Sequence, residues 1–348
     1  MTALVLTEYN HFEVQDVPTP TPGPDEVLIR VQAVGICGSD VHGMDGSTGR
    51  RVPPIVMGHE ASGIIAEVGL QVRAWAVGDR VTFDSTVYRL DDWYSRRGVY
   101  NLSDGREVVG VSTGTPDKPG FRRNGAFAEY VAVPQHILYA IPDGVSFTQA
   151  ALVEPVAVAL HALSLTPIQV NDAAVVVGAG MIGLFVIQAL KLAGCGEIIA
   201  IDLDDDRLAL AKTLGATHTL RADAPDVPEQ VRQRTHGRGA DVAFEVVGIA
   251  PTVQTAIACV RKGATVTLVG NLSPNIEIPL QAIVTQQLRL QGSCAINGEY
   301  EAALSLIASG NINVEAILSA EAPLSEGPDW FRRLYAREKG LIKVVLKP

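Results

Sequence analysis

The 348-residue chain has only four cysteines and no long uninterrupted apolar run. Its cysteines, Cys37, Cys195, Cys259 and Cys294, are too scattered to predict a disulfide framework, so we expect a reducing, cytoplasmic setting. No stretch approaches the roughly 18 apolar residues that would predict a membrane-spanning helix. The first residues also lack a basic segment followed by an apolar one, so we expect no signal peptide and no membrane partner.

Positive charge is scarce as well. Lys and Arg total 28 against 38 Asp and Glu, which gives a formal net charge of −10. An acidic chain is poorly suited to the phosphate backbone, so nucleic acid is not an expected partner. The hydrophobic fraction of 47% over this length is enough for two domain cores.

Residues 1–150 have the pattern of a β-rich domain. The runs EVLIRVQAVG, GIIAEVG and DRVTF are short, rich in Val and Ile, and separated by Gly, Pro and Asp. Frequent breakers between short strands predict an antiparallel or barrel-like domain.

The pattern changes near residue 155. AAVVVGAG predicts a parallel strand buried on both faces, and helical patterns such as MIGLFVIQALKLAG and PTVQTAIACVRKG then alternate with apolar strands. This alternation predicts a doubly wound sheet. The last strand, GLIKVVLKP, has no partner after it, and we expect it to return to the first domain.

A dinucleotide fingerprint, GAGMIG, follows the first of these strands and opens a helix. The glycines permit a tight turn, close approach of the pyrophosphate and close helix packing; the alternative is a turn used for packing alone. Asp202, 19 residues after Gly183, would accept the ribose hydroxyls and favours NAD over NADP, although Arg207 leaves NADP open. The aspartates at 204–206 are expected to cap the next helix. The predicted cofactor contacts are Gly178, Gly180, Met181, Ile182, Gly183, Asp202, Arg207, Val247, Gly248, Val269 and Gly270.

Three separate segments contain candidate metal ligands. They are Cys37 in GICGSDVHG, His59 and Glu60 in GHEASG, and Glu154 in LVEP. A Cys, a His and carboxylates suit zinc, and an open coordination position suits catalysis. Each residue alone has a structural explanation, but the group together with a nicotinamide site favours a metal centre.

These motifs resemble those of the zinc-dependent medium-chain dehydrogenases over nearly the whole chain. The resemblance is carried by GHE-x2-G-x5-G at 58–69, GDRV at 78–81, Cys37-x-Ser39 and the fingerprint at 178–183. The CGSDVH and VEP pieces are most similar to the polyol (sorbitol) and threonine dehydrogenase branches.

The resemblance implies an α/β fold with two domains. A GroES-like, β-rich catalytic domain would comprise 1–155 and 293–348. A Rossmann NAD-binding domain with a doubly wound parallel sheet would comprise 156–292.

The resemblance also implies one catalytic zinc per chain. Cys37 and His59 would be ligands, and Glu60 and Glu154 would bind the metal directly or through water. Asp40 would orient His59. A zinc ion would act as a Lewis acid on an alcohol whose hydride goes to NAD.

Proton transfer would fall to Ser39 and His42, with Glu60 as a further catalytic residue beside the metal. Ser39 would contact the substrate hydroxyl and pass its proton toward His42 and the cofactor ribose.

Relatives often hold a second, structural zinc through four cysteines spaced C-x2-C-x2-C-x7-C. In this chain those positions are Arg89, Asp92, Ser95 and Ser103, which predicts that the second zinc is missing. We expect the lobe to be stabilised by its Tyr and Trp residues and by ion pairs of Asp91 and Asp92 with Arg96 and Arg97. We also expect it to pack against another subunit of a homodimer or homotetramer.

The expected function is oxidation of a secondary alcohol of a polyol, sugar or cyclitol by an NAD-dependent zinc enzyme. The alternatives are a threonine-type amino-alcohol dehydrogenase and a non-catalytic NAD(H)-binding redox sensor. Gly43 stands where sorbitol-type enzymes tend to carry an aromatic, so one expected wall of the substrate pocket is missing. Substrate choice would depend on loops 43–58, 112–125 and 290–300.

Overall fold

The computed structural model describes residues 1–113 and 120–348, so the central part of the 112–125 loop lies outside the described residues. Contacts divide the chain into two compact units. The first comprises 1–154, 296–310 and 314–348, and the second comprises 155–295 and 311–313.

The first unit is mainly antiparallel. Most side chains of its longest strand, β3 (Glu26–Gly35), are buried, as expected for a strand in the interior of a sheet. The elements of its first segment are β1 (Thr2–Glu8), β2 (His11–Asp16), β3 (Glu26–Gly35), α1 (Gly38–Gly43), β4 (Ile55–Val56), β5 (Glu60–Val68), β6 (Arg80–Phe83), β7 (Thr86–Val87), β8 (Glu107–Val108), β9 (Val111–Ser112), β10 (Arg122–Arg123), β11 (Tyr130–Pro134), β12 (Leu138–Ala140) and α2 (Phe147–Ala151). Helix α3 (Val153–Ser164) begins in this segment, and its residues from 155 onward belong to the second unit.

The second unit alternates strands and helices. Its elements are β13 (Ala173–Val177), α4 (Met181–Leu192), β14 (Glu197–Asp202), α5 (Asp205–Leu214), β15 (His218–Arg221), α6 (Val227–Arg234), β16 (Ala240–Glu245), α7 (Ala250–Cys259), β17 (Val260–Leu268), α8 (Leu280–Thr285) and β18 (Arg289–Gly292). The strands pair in parallel in the order β15-β14-β13-β16-β17-β18. This order reverses at β13, so the fingerprint after β13 lies where such sheets bind dinucleotides.

The C-terminal segment contains α9 (Tyr300–Ala308), β19 (Leu318–Pro323), α10 (Gly327–Tyr335) and β20 (Lys343–Lys347). β20 lies between β19 and β3, and its Val345 is opposite Gly35 in antiparallel register. The last strand thus enters the sheet of the first unit, in the order β12-β6-β5-β3-β20-β19.

The predicted α/β fold class, a β-rich domain with a doubly wound parallel sheet, is confirmed. One helix boundary differs from the sequence pattern. The helical pattern extends through Gly263, but α7 ends at Cys259 and β17 begins at Val260. Val260 pairs with Ala240 before the register shifts, so burial in the sheet takes precedence over the helical pattern here. Among the described residues, no helix is both long enough and apolar enough to cross a membrane.

The lobe at 89–103 has short 3-10 turns at Ser95–Arg97 and Tyr100–Leu102. The four positions aligned with the structural-zinc cysteines lie together through hydrogen bonds. The Asp92 carboxylate accepts from the Ser95 amide at 2.7 Å and from the Ser103 hydroxyl, and Ser103 Oγ accepts from the Arg89 amide at 3.2 Å. Polar contacts therefore connect the loops that a metal would otherwise connect.

The predicted ion pairs of this lobe are present only in part: the hydrogen bond and charge of Arg89 lower the pKa of Asp91 most, and the charge of Arg96 adds a weaker contribution. Asp91 pairs with Arg89 at 3.1 Å, whereas the guanidinium of Arg97 stacks on Trp93 at 3.7 Å from the ring centroid. The reason is that the 3-10 turn directs Arg97 back over the preceding tryptophan, whose carbonyl it also contacts. Aromatic packing is present as expected, since the rings of Tyr88 and Tyr100 stack with their centroids 4.2 Å apart.

Candidate metal and cofactor sites

Three of the four predicted metal ligands lie together in the first unit. One potential ligand atom of each of Cys37, His59 and Glu60 lies within 4.8 Å of those of the other two. In the described part of the chain, this is the group of His, Cys, Asp or Glu residues whose ligand atoms are close enough together to hold a metal ion. Cys37 precedes helix α1, whereas Glu60 is the first residue of β5 and His59 is the residue before it. His59 and Glu60 are buried and Cys37 is partly exposed, so the group has one open side.

Asp40 organises this group from behind. It is fully buried, its Oδ1 lies 3.5 Å from Nδ1 of His59, and its Oδ2 accepts from the Cys37 amide at 3.4 Å. Burial raises the pKa of Asp40, but His59 and Arg51 lower it by more, so the carboxylate stays ionised. This is the arrangement in which a carboxylate orients a metal-binding imidazole.

The pKa of His59 responds to the same groups. Burial lowers it, but the Asp40 carboxylate and the Cys37 thiol raise it by more, so it lies well above its ordinary value. Metal binding at this imidazole therefore displaces a proton.

Glu60 has a partner that the sequence patterns did not reveal. The Lys343 ammonium donates to Oε2 of Glu60 and also to the Ile36 carbonyl at 3.0 Å, and both charged side chains are fully buried. The second oxygen, Oε1, is buried without a partner among the described residues. The only sequence signal was the Lys within GLIKVVLKP, because the contact spans 283 positions.

Glu154 lies in the first turn of α3 and does not join the three-residue group. Its Oε1 accepts a hydrogen bond from Ser85 Oγ at 3.0 Å. Burial raises the pKa of Glu154 to about 7, with Glu60 adding to the increase and His59 opposing it. A buried carboxyl group in this setting is stabilised by a nearby cation or by protonation.

Ser39 and His42 are three positions apart on α1, which places them on one face of the helix. The Ser39 hydroxyl is exposed and donates to Cys37 Sγ at 3.3 Å. Burial and Arg337 lower the pKa of His42, and Asp45 opposes them. The imidazole is therefore neutral near pH 7 and able to accept a proton.

These side chains fit zinc. A thiol, an imidazole and a buried carboxylate oxygen without a partner form the soft and borderline donor set that zinc prefers, with an open side for substrate. Cys37 and His59 would hold the ion, and one carboxylate oxygen of Glu60 lies beside their ligand atoms.

In the second unit the fingerprint forms a tight turn. Gly178 has φ +102°, a left-handed conformation that favours glycine, and a Cβ on Gly183 would collide with the Gly178 carbonyl oxygen. Asp202 Oδ2 accepts from the Ala179 amide at 2.6 Å, which fixes the acid to the turn. Gly180 precedes α4, whose partly exposed first residues, Met181 and Ile182, lie at the helix N-terminus where a pyrophosphate binds.

Asp204 caps α5, as expected, and Asp205 and Asp206 lie in its first turn, where their charges complement the helix dipole. Asp204 accepts from the amides of Asp206 and Arg207, at 2.9 and 3.1 Å. Arg207 thus contributes its backbone to the start of α5.

A further residue, Glu245, was missed by the sequence reasoning. Its buried Oε1 accepts from the Val247 and Gly248 amides at 2.9 and 2.8 Å. Its carbonyl accepts from the Val269 and Gly270 amides at 2.8 and 3.1 Å. Through its side chain and its carbonyl, this one residue at the end of β16 thus binds the amides of all four candidate cofactor contacts that follow β16 and β17. An acidic residue ending a buried strand was the available signal.

Comparison with known proteins supports the family assignment. Residues 23–143 match the alcohol dehydrogenase GroES-like domain, and residues 182–309 match the zinc-binding dehydrogenase family. The chain is 34% identical to a sorbitol dehydrogenase of Bacillus subtilis (strain 168), covering 100% of this chain and 97% of the relative. It is 32% identical to a (R,R)-butanediol dehydrogenase of the same organism, covering 97% and 96%.

A solved structure is similar throughout. The crystal structure of a candidate zinc-binding dehydrogenase of Sinorhizobium meliloti 1021, bound to NADP, superposes with a TM-score of 0.90 at 32% identity over 100% of this chain and 99% of that one. The chain therefore belongs to the zinc-dependent medium-chain dehydrogenases, as an alcohol dehydrogenase whose cofactors are zinc and NAD(H).

Proposed function

We propose that this enzyme oxidises a secondary alcohol of a polyol, sugar or cyclitol to the ketone, with NAD as the hydride acceptor. The observation that carries the proposal is the convergence of Cys37, His59 and Glu60 on one partly open position. The substrate class is supported by the relatives, since sorbitol and butanediol are both compounds with more than one hydroxyl group.

Bound zinc would supply Lewis-acid polarisation of the alcohol oxygen, and bound NAD would be the two-electron acceptor of the hydride from carbon. Cys37 and His59 would hold the metal, and the buried Asp40 keeps His59 in one orientation. The Ser39 hydroxyl would accept the substrate proton as it gives up its own. The neutral His42 on the same helix face would take the proton that Ser39 gives up and pass it to solvent.

Glu60 and Glu154 place negative charge beside the metal position. Lys343 neutralises one Glu60 oxygen and leaves Oε1 available to the metal or to a bound water. Ser85 similarly occupies one oxygen of Glu154.

The test is NADH formation by zinc-loaded enzyme on a panel of polyols, inositols, aldonates and threonine, followed at 340 nm. The highest kcat/KM is expected on a polyol, sugar or cyclitol. Preference for threonine would contradict the substrate class. NADH binding without turnover on any alcohol, in protein that holds no zinc, would instead identify a redox sensor.

We also propose a cytoplasmic homodimer or homotetramer in which the 89–103 lobe packs on a second subunit. Exposed apolar side chains on the lobe support this, with Leu90 64% and Trp93 59% exposed. The free state of all four cysteines is consistent with a reducing compartment. Replacing 89–103 by a Gly-Ser loop should lower the sedimentation coefficient while the zinc content is retained. An unchanged sedimentation profile would count against a contact between this lobe and a second subunit.

A further inference from the structure

A buried arginine, Arg51, lies behind the metal group and was not assigned by the sequence motifs. Only 4% of its surface is exposed. Its Nε and Nη2 donate to Oδ1 of Asp40 at 3.2 and 2.9 Å, and Nη2 also donates to Ser39 Oγ at 3.3 Å. The same Asp40 oxygen faces Nδ1 of His59. One guanidinium therefore contacts both the carboxylate behind His59 and the serine at the open side.

This geometry restricts Asp40 more than a single contact would. Both guanidinium hydrogen bonds go to Oδ1, while Oδ2 accepts from the Cys37 amide, so the two oxygens of the carboxylate are held by different partners. It also balances the charge of Asp40, which is completely buried. The backbone next to Arg51 is anchored, because the Val52 amide donates to the Ser112 carbonyl at 3.3 Å.

Gly43 provides the space for this side chain. It is a buried residue at the end of α1, and a Cβ built on it would lie 2.6 Å from Cγ of Arg51 and 3.3 Å from Oγ1 of Thr48. Its backbone is helical, so the absence of a side chain is what matters here. The stem of Arg51 therefore occupies the space that a side chain at position 43 would need.

We propose that Gly43 and Arg51 form one coupled pair in which Arg51 is a positioning residue for Asp40 and, through it, for His59. The proposal rests on the proposed zinc ligands and adds a determinant to them. A larger residue at 43 displaces Arg51, and a displaced Arg51 leaves Asp40 charged and buried, held only by the Cys37 amide and His59. The metal-binding nitrogen of His59 then loses its fixed orientation.

The experiment is a double-mutant cycle with Gly43→Ala and Arg51→Ala, read as the rate of zinc release to a colorimetric chelator. Each single change should accelerate release by about 10- to 100-fold, the usual effect of losing a residue that orients a metal ligand. Adding Gly43→Ala to Arg51→Ala should change little more, because Cγ is already gone. The matched control is Gly38→Ala on the same helix, where a Cβ meets nothing within 4 Å.

Arg51→Met separates positioning from packing, since it keeps the stem and removes the guanidinium. Its cobalt-substituted form should show shifted visible absorption bands, which report ligand geometry at the metal. Additive effects in the cycle, or wild-type zinc release and cobalt bands in the Arg51 variants, would overturn the proposal and leave the proposed function intact. Failure of wild-type protein to take up zinc or cobalt would overturn both.

Discussion

Lys343 and Glu60 form an ion pair in which both side chains are completely buried. The lysine comes from the last strand, β20, and the glutamate from the start of β5. The same ammonium also donates to the carbonyl of Ile36, which is the residue before Cys37. The C-terminal strand therefore acts directly on the segments that carry the candidate zinc ligands.

Removing the lysine should be costly because Glu60 would remain buried and charged. Lys343→Met is expected to lower the free energy of unfolding of the metal-free protein by about 3–5 kcal/mol in urea titrations. Lys347→Met is the matched control, since Lys347 lies on the same strand as Lys343 and its partner Glu321, on β19, is 40% exposed. It should cost no more than about 1 kcal/mol. Similar losses in both variants would show that the buried pair is not special.

Cys37→Ala tests the metal group itself. The variant should lose zinc, measured by atomic absorption, and turnover should fall by roughly a thousandfold or more, because several kcal/mol of transition-state stabilisation depend on the ion. NADH affinity, measured by fluorescence, should be unchanged, because the fingerprint lies in the second unit. Cys195→Ala is the control thiol, and it should retain zinc and activity. Full activity in Cys37→Ala would refute the metal mechanism.

Asp202 should set the preference for NAD. Both of its oxygens accept backbone amides, from Ala179 and Asp204, and each retains a lone pair for a ribose hydroxyl. Asp202→Asn removes the charge that repels a 2′-phosphate and weakens charge-assisted hydrogen bonds. The ratio of kcat/KM for NAD over NADP should fall about 10- to 100-fold. Asp206→Asn, at an exposed position of α5, should leave the ratio unchanged; an unchanged ratio in Asp202→Asn would remove this role.

Sequence reasoning reached the ligands because each lies in a compact motif. GHE and CGSDVH fix the identities of His59, Glu60 and Cys37 locally, and the G-x-G-x-x-G turn likewise depends on neighbouring residues. The alternation of strands and helices was similarly local, and it predicted the doubly wound sheet.

The residues that were missed act across the fold. Lys343 reaches Glu60 only because β20 pairs with β3, and Arg51 reaches Asp40 only because Gly43 leaves room for it. Such long-range contacts produce no periodicity or residue spacing that could be recognised in the sequence. The lobe shows the same limit, since the missing cysteines were evident but the hydrogen bonds that replace them depend on the turn geometry.

His42 should produce the acidic limb of the pH–rate profile. Only the neutral imidazole accepts a proton, so kcat/KM is lost as pH falls through a pKa that burial and Arg337 hold below 6.5. Arg337→Met should therefore move the limb to higher pH. His42→Gln should abolish the limb and lower kcat/KM by about 100-fold, whereas His11→Gln, at an exposed site, should change neither. A limb that persists in His42→Gln would assign it to another group.

The 89–103 lobe should regain a metal if its four diverged positions become cysteines. Arg89, Asp92, Ser95 and Ser103 already converge through hydrogen bonds, so thiolates at these positions would surround one point. The combined variant Arg89→Cys, Asp92→Cys, Ser95→Cys, Ser103→Cys should bind one additional zinc per chain, measured by atomic absorption after gel filtration. Adding Cys37→Ala should remove the original zinc and leave the new one, because the two sites use different residues. An unchanged zinc content in the four-cysteine variant would mean that the hydrogen-bonded turn holds these positions in a geometry unsuited to a tetrahedral ion.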